Sequence, residues 1–127
     1  MRPALDDTPP VSVKIYQYPN CSTCRKALKW LDRNGVEHTS VDIVEKPPSK
    51  STLERAHRAG IPLRKLFNTA GQSYRRGGFK DKLPSMSKAE ALAALADDGK
   101  LIKRPLVVGE GIARVGFKEA EWADALL

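Results

Sequence analysis

At 127 residues and 41% hydrophobic, the chain is long enough for one domain with its own core, and an aromatic fraction of 6% leaves aliphatic side chains to fill most of it. Twenty-two basic against 15 acidic residues give a formal net charge of +7, which suits an anionic partner or substrate. No run of ~18 apolar residues occurs, so no membrane span is expected. The opening MRPALDDTPP also lacks the apolar stretch of a secretory signal. The expected location is therefore cytoplasmic, where a structural disulfide is unusual and a reactive cysteine pair is not.

Residues 1–11 carry three of the nine prolines and little to bury, and read as a flexible N-terminal extension to a single domain over 12–127. Val13 to Tyr18 alternates as a strand, with Val13, Ile15 and Gln17 on one face and Lys14 and Tyr16 on the other. Pro19 and Asn20 break it. From Ser22 to Asn34, Ala27, Leu28, Trp30 and Leu31 recur at helical spacing, and Gly35 is a C-terminal stop. Val36 to Ile43 forms a second strand, ended by Lys46-Pro47-Pro48. A helical insert over about 49–98 follows. Ser49 or Ser51 caps a helix carrying Leu53 and Ala56, and Gly60 closes it. Pro62 opens a short helix with Leu63, Leu66 and Phe67. Residues 68–85 read as short turns, and Ser87 with Glu90 is a capping box for a helix from Lys88 to Asp97, ended by Gly99. Arg104 to Val108 is a third strand, Gly109-Glu110-Gly111 a hairpin turn, Ile112 to Val115 a fourth strand, and Lys118 to Leu127 a last helix.

The order is β-α-β, helical insert, β-β-α. It predicts an α/β, thioredoxin-like fold with a four-stranded mixed sheet, its first two strands parallel through a right-handed crossover.

Both cysteines lie between the first strand and the first helix, in Tyr18-Pro19-Asn20-Cys21-Ser22-Thr23-Cys24-Arg25-Lys26. A Cys-x-x-Cys at that junction is a redox signal. The thiolate is the nucleophile, and unsatisfied N–H groups at a helix start, with the positive end of its dipole, stabilise the anion. Cys21 stands there as the attacking thiol. Cys24, one turn further in, is the resolving thiol. Arg25 and Lys26 add positive charge in the first turn. Two blander readings compete: a pair of buried small hydrophobes, or a zinc site completed by His38 and His57 at spacing unlike any finger or ribbon. The expected metal content is none.

Arg104-Pro105, a proline opening a strand beside a redox helix, suggests a cis bond, with a trans proline on an edge strand as the alternative. Arg104 and Arg64 are the candidate anion ligands, since a guanidinium fork matches an oxyanion or carboxylate. Arg75, Arg76 and Lys80 form a basic loop patch, but with only Tyr74 and Phe79 interleaved it reads as a solvated loop, and direct nucleic-acid binding is not expected.

These stretches, together with Gly60-Ile-Pro-Leu-Arg64-Lys-Leu-Phe67-Asn68-Thr69, Lys82-Leu-Pro-Ser-Met86-Ser87, Lys103-Arg104-Pro105-Leu-Val-Val108 and Val115-Gly116-Phe117, resemble the arsenate reductase/Spx/MgsR family over residues 13–126. The resemblance implies a thioredoxin-like fold and either of two functions. In the glutaredoxin-coupled arsenate reductases a cysteine before the first helix attacks arsenate, arginines surround the oxyanion, and glutathione with glutaredoxin resolves the adduct. Cys21, Arg64 and Arg104 match that nucleophile and two of those arginines. Phe117 stands where the third arginine would be, and Cys24 where a non-cysteine is common. The Spx/MgsR branch uses the Cys-x-x-Cys as a redox switch and binds the C-terminal domain of the RNA polymerase α subunit.

The expectation is thus a thiol–disulfide oxidoreductase with catalytic Cys21 and Cys24 and anion-binding Arg25, Arg64, Arg104 and Pro105. No bound cofactor is implied; glutathione is the co-substrate, with glutaredoxin or thioredoxin as partner. The alternative is a redox-sensing regulator on RNA polymerase α. A monomer is expected, since no long apolar surface stripe is visible.

Overall fold

The computed structural model describes residues 12–127; the extension assigned to residues 1–11 lies outside the described residues. The chain runs β1 (Ser12–Gln17), α1 (Ser22–Arg33), β2 (Glu37–Asp42), α2 (Lys50–Arg58), a 3-10 turn (Leu63–Leu66), α3 (Gln72–Arg76), α4 (Phe79–Lys82), a 3-10 turn (Leu83–Ser85), α5 (Lys88–Asp97), a 3-10 turn (Gly99–Leu101), β3 (Leu106–Gly109), β4 (Ile112–Val115) and α6 (Glu119–Leu126). The sheet order is β2-β1-β3-β4. β1 pairs parallel with β2 and antiparallel with β3, and β3 pairs antiparallel with β4. This is the mixed sheet that the element order predicts, with β2 and β4 at its edges.

One face of β1 is buried at Val13 and Ile15; on the other, Ser12 and Lys14 are exposed and Tyr16 is buried. Val13, Ile15 and Val107 pack against Ala27, Trp30 and Leu31 of α1 and Trp122 and Leu126 of α6. Tyr16, Leu106 and Val108 face Leu53 and Ala56 of α2 and Ala91, Leu92 and Leu95 of α5. The helical insert is thus the cover of the second face. Its α5 begins at the predicted capping box, where Glu90 N–H donates to Ser87 Oγ and Ser87 N–H donates back to Glu90 Oε1.

One expectation is corrected. The third strand begins at Leu106 rather than Arg104, because Pro105 has no N–H to give a ladder. α5 spans Lys88–Asp97, as the sequence predicts. It ends as Asp98 turns extended (φ −147°), and Gly99 passes so close to the end of β2 that an added Cβ would collide with the Ile43 carbonyl oxygen.

The segment that returns to the sheet is stitched on both sides. Phe67 bridges Ile102. Asn68 N–H donates to Leu101 O at 2.7 Å and Lys103 N–H to Leu66 O at 2.8 Å. On its other side, Gly116 N–H donates to Pro105 O at 2.9 Å. These bonds draw the 3-10 turn holding Arg64, the Lys103-Arg104-Pro105 segment and the end of β4 into one neighbourhood.

Candidate active site at the start of α1

Cys21 is the N-cap of α1. Its backbone is extended (φ −98°, ψ 113°), and its Sγ accepts the Cys24 N–H at 3.2 Å. This is the position where a serine or aspartate oxygen usually satisfies an orphan N–H. Here the acceptor is sulfur, at the positive end of a 12-residue helix, a place that favours negative charge on that atom. Cys21 is half-buried and reachable. Cys24 is fully buried, and the two cysteines are not bonded to each other.

Burial pushes the Cys24 thiol up to about 12, and its hydrogen bond with Cys21 works in the same direction. The Tyr18 backbone and the positive charge of Arg104 pull the other way without overcoming burial. The two sulfurs therefore differ in access and in environment although they sit one helical turn apart.

Arg104 is half-buried, with its guanidinium carbon 5.0 Å from the centroid of the Tyr18 ring, a cation–π contact that ties it to the cysteine loop. The Arg104–Pro105 peptide is cis. Arg104 and Arg64 line one cavity of about 870 Å³, whose wall also includes Thr23 in the first turn of α1. Arg25 is placed elsewhere: it is exposed and donates from Nη1 to Pro19 O at 2.7 Å, bracing the loop ahead of Cys21 rather than lining the cavity.

The same cavity holds residues the sequence did not single out, namely Lys103, Arg114 and Lys118. It runs along the free edge of β4, since consecutive residues from Ala113 to Lys118 contribute to its wall. The signal that would have found them is topological. A basic residue in an edge strand, directly after a hairpin that returns to the Arg104-Pro105 segment, must border whatever lies beside that segment.

Phe117, where the resemblance implies an arginine in relatives, is half-buried in an aromatic cluster. Its ring centroid lies 6.1 Å from Trp30 and 5.0 Å from Trp122, both edge-on. Trp122 Nε1 donates to Gly116 O at 3.0 Å and fixes the turn that carries Phe117. The two histidines are engaged locally. His38 Nδ1 lies 2.8 Å from Val36 O, and His57 Nδ1 lies 2.8 Å from Ile61 O. Among the described residues, no group of three or more His, Cys, Asp or Glu side chains is placed to hold a metal ion, and no helix is long and apolar enough to cross a membrane.

Residues 16–125 match the family model described as ArsC family. The chain is 46% identical over 115 residues to the "Uncharacterized protein YusI" of Bacillus subtilis (strain 168), covering 90% of this chain and 98% of that one. It is 35% identical over 99 residues to a protein of Rhizobium meliloti (strain 1021) named "Arsenate reductase", covering 77% and 69% respectively. Among solved structures, an ArsC family related protein from Bacteroides fragilis superposes with a TM-score of 0.84 at 45% identity, covering 88% of this chain and 95% of that chain. With a thioredoxin-like sheet, a cysteine capping its first helix, and these matches along nearly its whole length, the chain belongs to the ArsC family.

Proposed function

We propose that this protein is a thiol-dependent oxidoreductase that reduces disulfides, with Cys21 as the nucleophile and Cys24 as the resolving thiol. The observation that carries this reading is the division between the two sulfurs. Cys21 Sγ is reachable and receives a backbone N–H at 3.2 Å, whereas Cys24 is buried and held as a thiol. A generic buried pair would have no such asymmetry. Membership of a family whose relatives include proteins named arsenate reductase supports the reading.

In the first step the Cys21 thiolate attacks one sulfur of a substrate disulfide R–S–S–R′. A bond forms between Cys21 Sγ and R–S, the S–S bond breaks, and R′–S⁻ leaves and takes a proton. Arg104 and Arg64, on the cavity wall, offset the charge of the substrate and of the departing thiolate. In the second step Cys24 gives up its proton and attacks Cys21 Sγ. R–S⁻ leaves, and a Cys21–Cys24 disulfide remains. Two electrons from glutathione, or from a glutaredoxin- or thioredoxin-type dithiol, then return both cysteines to thiols. Arsenate is the weaker substrate in this reading, because the position of a third arginine is filled by Phe117 and committed to packing against two tryptophans.

The test is turnover of glutathione disulfide and of 2-hydroxyethyl disulfide by the full-length chain under a coupled reductant. Wild-type protein should turn over, and Cys21→Ser should not. Absence of turnover with both substrates in the wild type would sink the reading.

A further inference from the structure

A second cavity, of about 480 Å³, lies on the α2 side of the sheet and at the end of β1 away from Cys21. Its volume falls in the range of ~300–1,000 Å³ typical of small-molecule sites. The sheet makes its floor. β1 pairs Lys14 with Thr39 on one side and with Val108 on the other, so these three side chains stand in one row, on the face that also carries Tyr16. Tyr16 is buried in the core formed with α2 and α5, whereas Lys14 and Thr39, one row further on, are exposed. The cavity is the step left where the helical cover stops, and Thr52 and Arg55 of α2 form its wall.

The polar groups around this step lack partners of their own. Tyr16 is 6% exposed, and its hydroxyl has no hydrogen-bond partner among the described residues. Among those residues no fully shielded side-chain oxygen is without a partner, so the Tyr16 oxygen opens onto the cavity that the residue lines. A hydroxyl this deeply set normally has a fixed partner, and here the cavity is where one can bind. Arg55 is held by a long contact, Nη2 to Thr52 Oγ1 at 3.5 Å, and most of its fork is uncommitted. Its neighbour Glu54 is taken by Arg58 and Lys88 instead. Lys14 and Arg55 have no carboxylate within 4.0 Å among the described residues.

We propose that this cavity binds a phosphate monoester of a small organic molecule, with Lys14, Arg55 and the hydroxyls of Tyr16 and Thr39 as donors to the phosphate. The donors come from the floor, from the helical wall and from the buried edge, which suits a group with three terminal oxygens better than a planar carboxylate. A phosphate fills only a small multiple of the ~30 Å³ that a water occupies, so room remains for an organic group against Val108 and the Tyr16 ring. Glu110, the carboxylate in this wall, disfavours a second anionic group on the ligand. The site stands at the other end of β1 from the cysteines and is independent of the thiol chemistry.

NMR titration of the full-length chain with phenyl phosphate, inorganic phosphate and benzoate tests this. Phenyl phosphate should give saturable amide shifts centred on Lys14, Tyr16, Thr39 and Arg55, and should bind about tenfold more tightly than either of the other two. Tyr16→Phe keeps the ring and removes the donor, and should weaken binding roughly three- to tenfold. Arg55→Gln should weaken it about tenfold, and Arg104→Ala should leave it unchanged. Urea denaturation of Tyr16→Phe and Arg55→Gln would confirm that both variants stay folded. Shifts centred on the cavity of Arg64 and Arg104, benzoate binding as tight as phenyl phosphate, or affinity indifferent to both Tyr16→Phe and Arg55→Gln would overturn the proposal.

Discussion

The Cys24 N–H donates to Cys21 Sγ at 3.2 Å while the Cys24 side chain is wholly shielded from solvent. One residue thus supports the sulfur of the other and hides its own. An alkylating reagent should therefore label Cys21 in the native, reduced protein and reach Cys24 only on unfolding. Mass mapping of the labelled chain checks this. Equal labelling of both positions under native conditions would mean that the α1 start opens readily.

The elevated Cys24 thiol makes the second step pH-dependent. Burial is the largest cause and persists when Cys21 is in a mixed disulfide, so the direction of the shift persists too. Below its titration, the thiolate fraction of Cys24 rises tenfold per pH unit. Closure of the Cys21–Cys24 disulfide should accordingly accelerate steadily from about pH 7 to 9 without a plateau, as quenched-flow trapping would show. Stability carries the matching sign. A thiol raised in the fold contributes stability below its ordinary value of 9.0 and loses it as pH climbs toward about 12. Reduced wild-type protein should thus destabilise over that alkaline window more than Cys24→Ser does.

Arg104 connects the cavity to the cysteines, through its contact with Tyr18 and its charge near Cys24. Arg104→Ala should lower kcat/KM by roughly 10- to 150-fold, the equivalent of ~1.5–3 kcal/mol for one charge-assisted contact. Arg104→Lys should recover little, because an ammonium neither forks nor stacks as a guanidinium does. Unchanged kinetics in Arg104→Ala would remove this arginine from the site.

Phe117 is a packing residue as well as a cavity wall. Phe117→Ala should cost about 2 kcal/mol, less than the loss of a fully buried phenylalanine, and should alter the fluorescence of Trp30 and Trp122. Urea denaturation followed by tryptophan emission measures both. Phe117→Arg is expected to destabilise the chain similarly. A variant as stable as wild type would show that the aromatic cluster does not depend on this ring.

Gly99 offers a test of how the helical insert is seated. Gly99→Ala forces a methyl against the Ile43 carbonyl, and no flexible side chain can yield there, since the opposing atom is backbone. The expected loss is about 1–3 kcal/mol or more, read as a lower urea midpoint. Tolerance of alanine at this position would contradict the close approach of α5's exit to the end of β2.

Much of this was legible in the residues. The alternation of Val13 to Gln17, the Ser87–Glu90 capping box and the Gly35 stop are local signals, and each marks the element found there. Cys21 and Cys24 were readable because a helix start imposes its own chemistry on them. Arg64 and Arg104 were drawn out by the family resemblance and the neighbouring prolines. Lys103, Arg114 and Lys118 were not, because nothing local sets them apart from the other basic residues. They converge only through long-range bonds such as Gly116 N–H to Pro105 O, which no period of 2 or 3.6 encodes. Arg25 shows another limit: nothing in its place in the first turn announces that its Nη1 donates back to the Pro19 carbonyl.

The central claim is the division of labour between Cys21 and Cys24, and intact-mass analysis of the reduced chain after brief exposure to glutathione disulfide tests it most directly. Wild type should lose two hydrogens as the internal disulfide closes, Cys24→Ser should gain one glutathionyl group mapped to Cys21, and Cys21→Ser should remain unmodified. A glutathionyl group on Cys24, or a reactive Cys21→Ser variant, would contradict it.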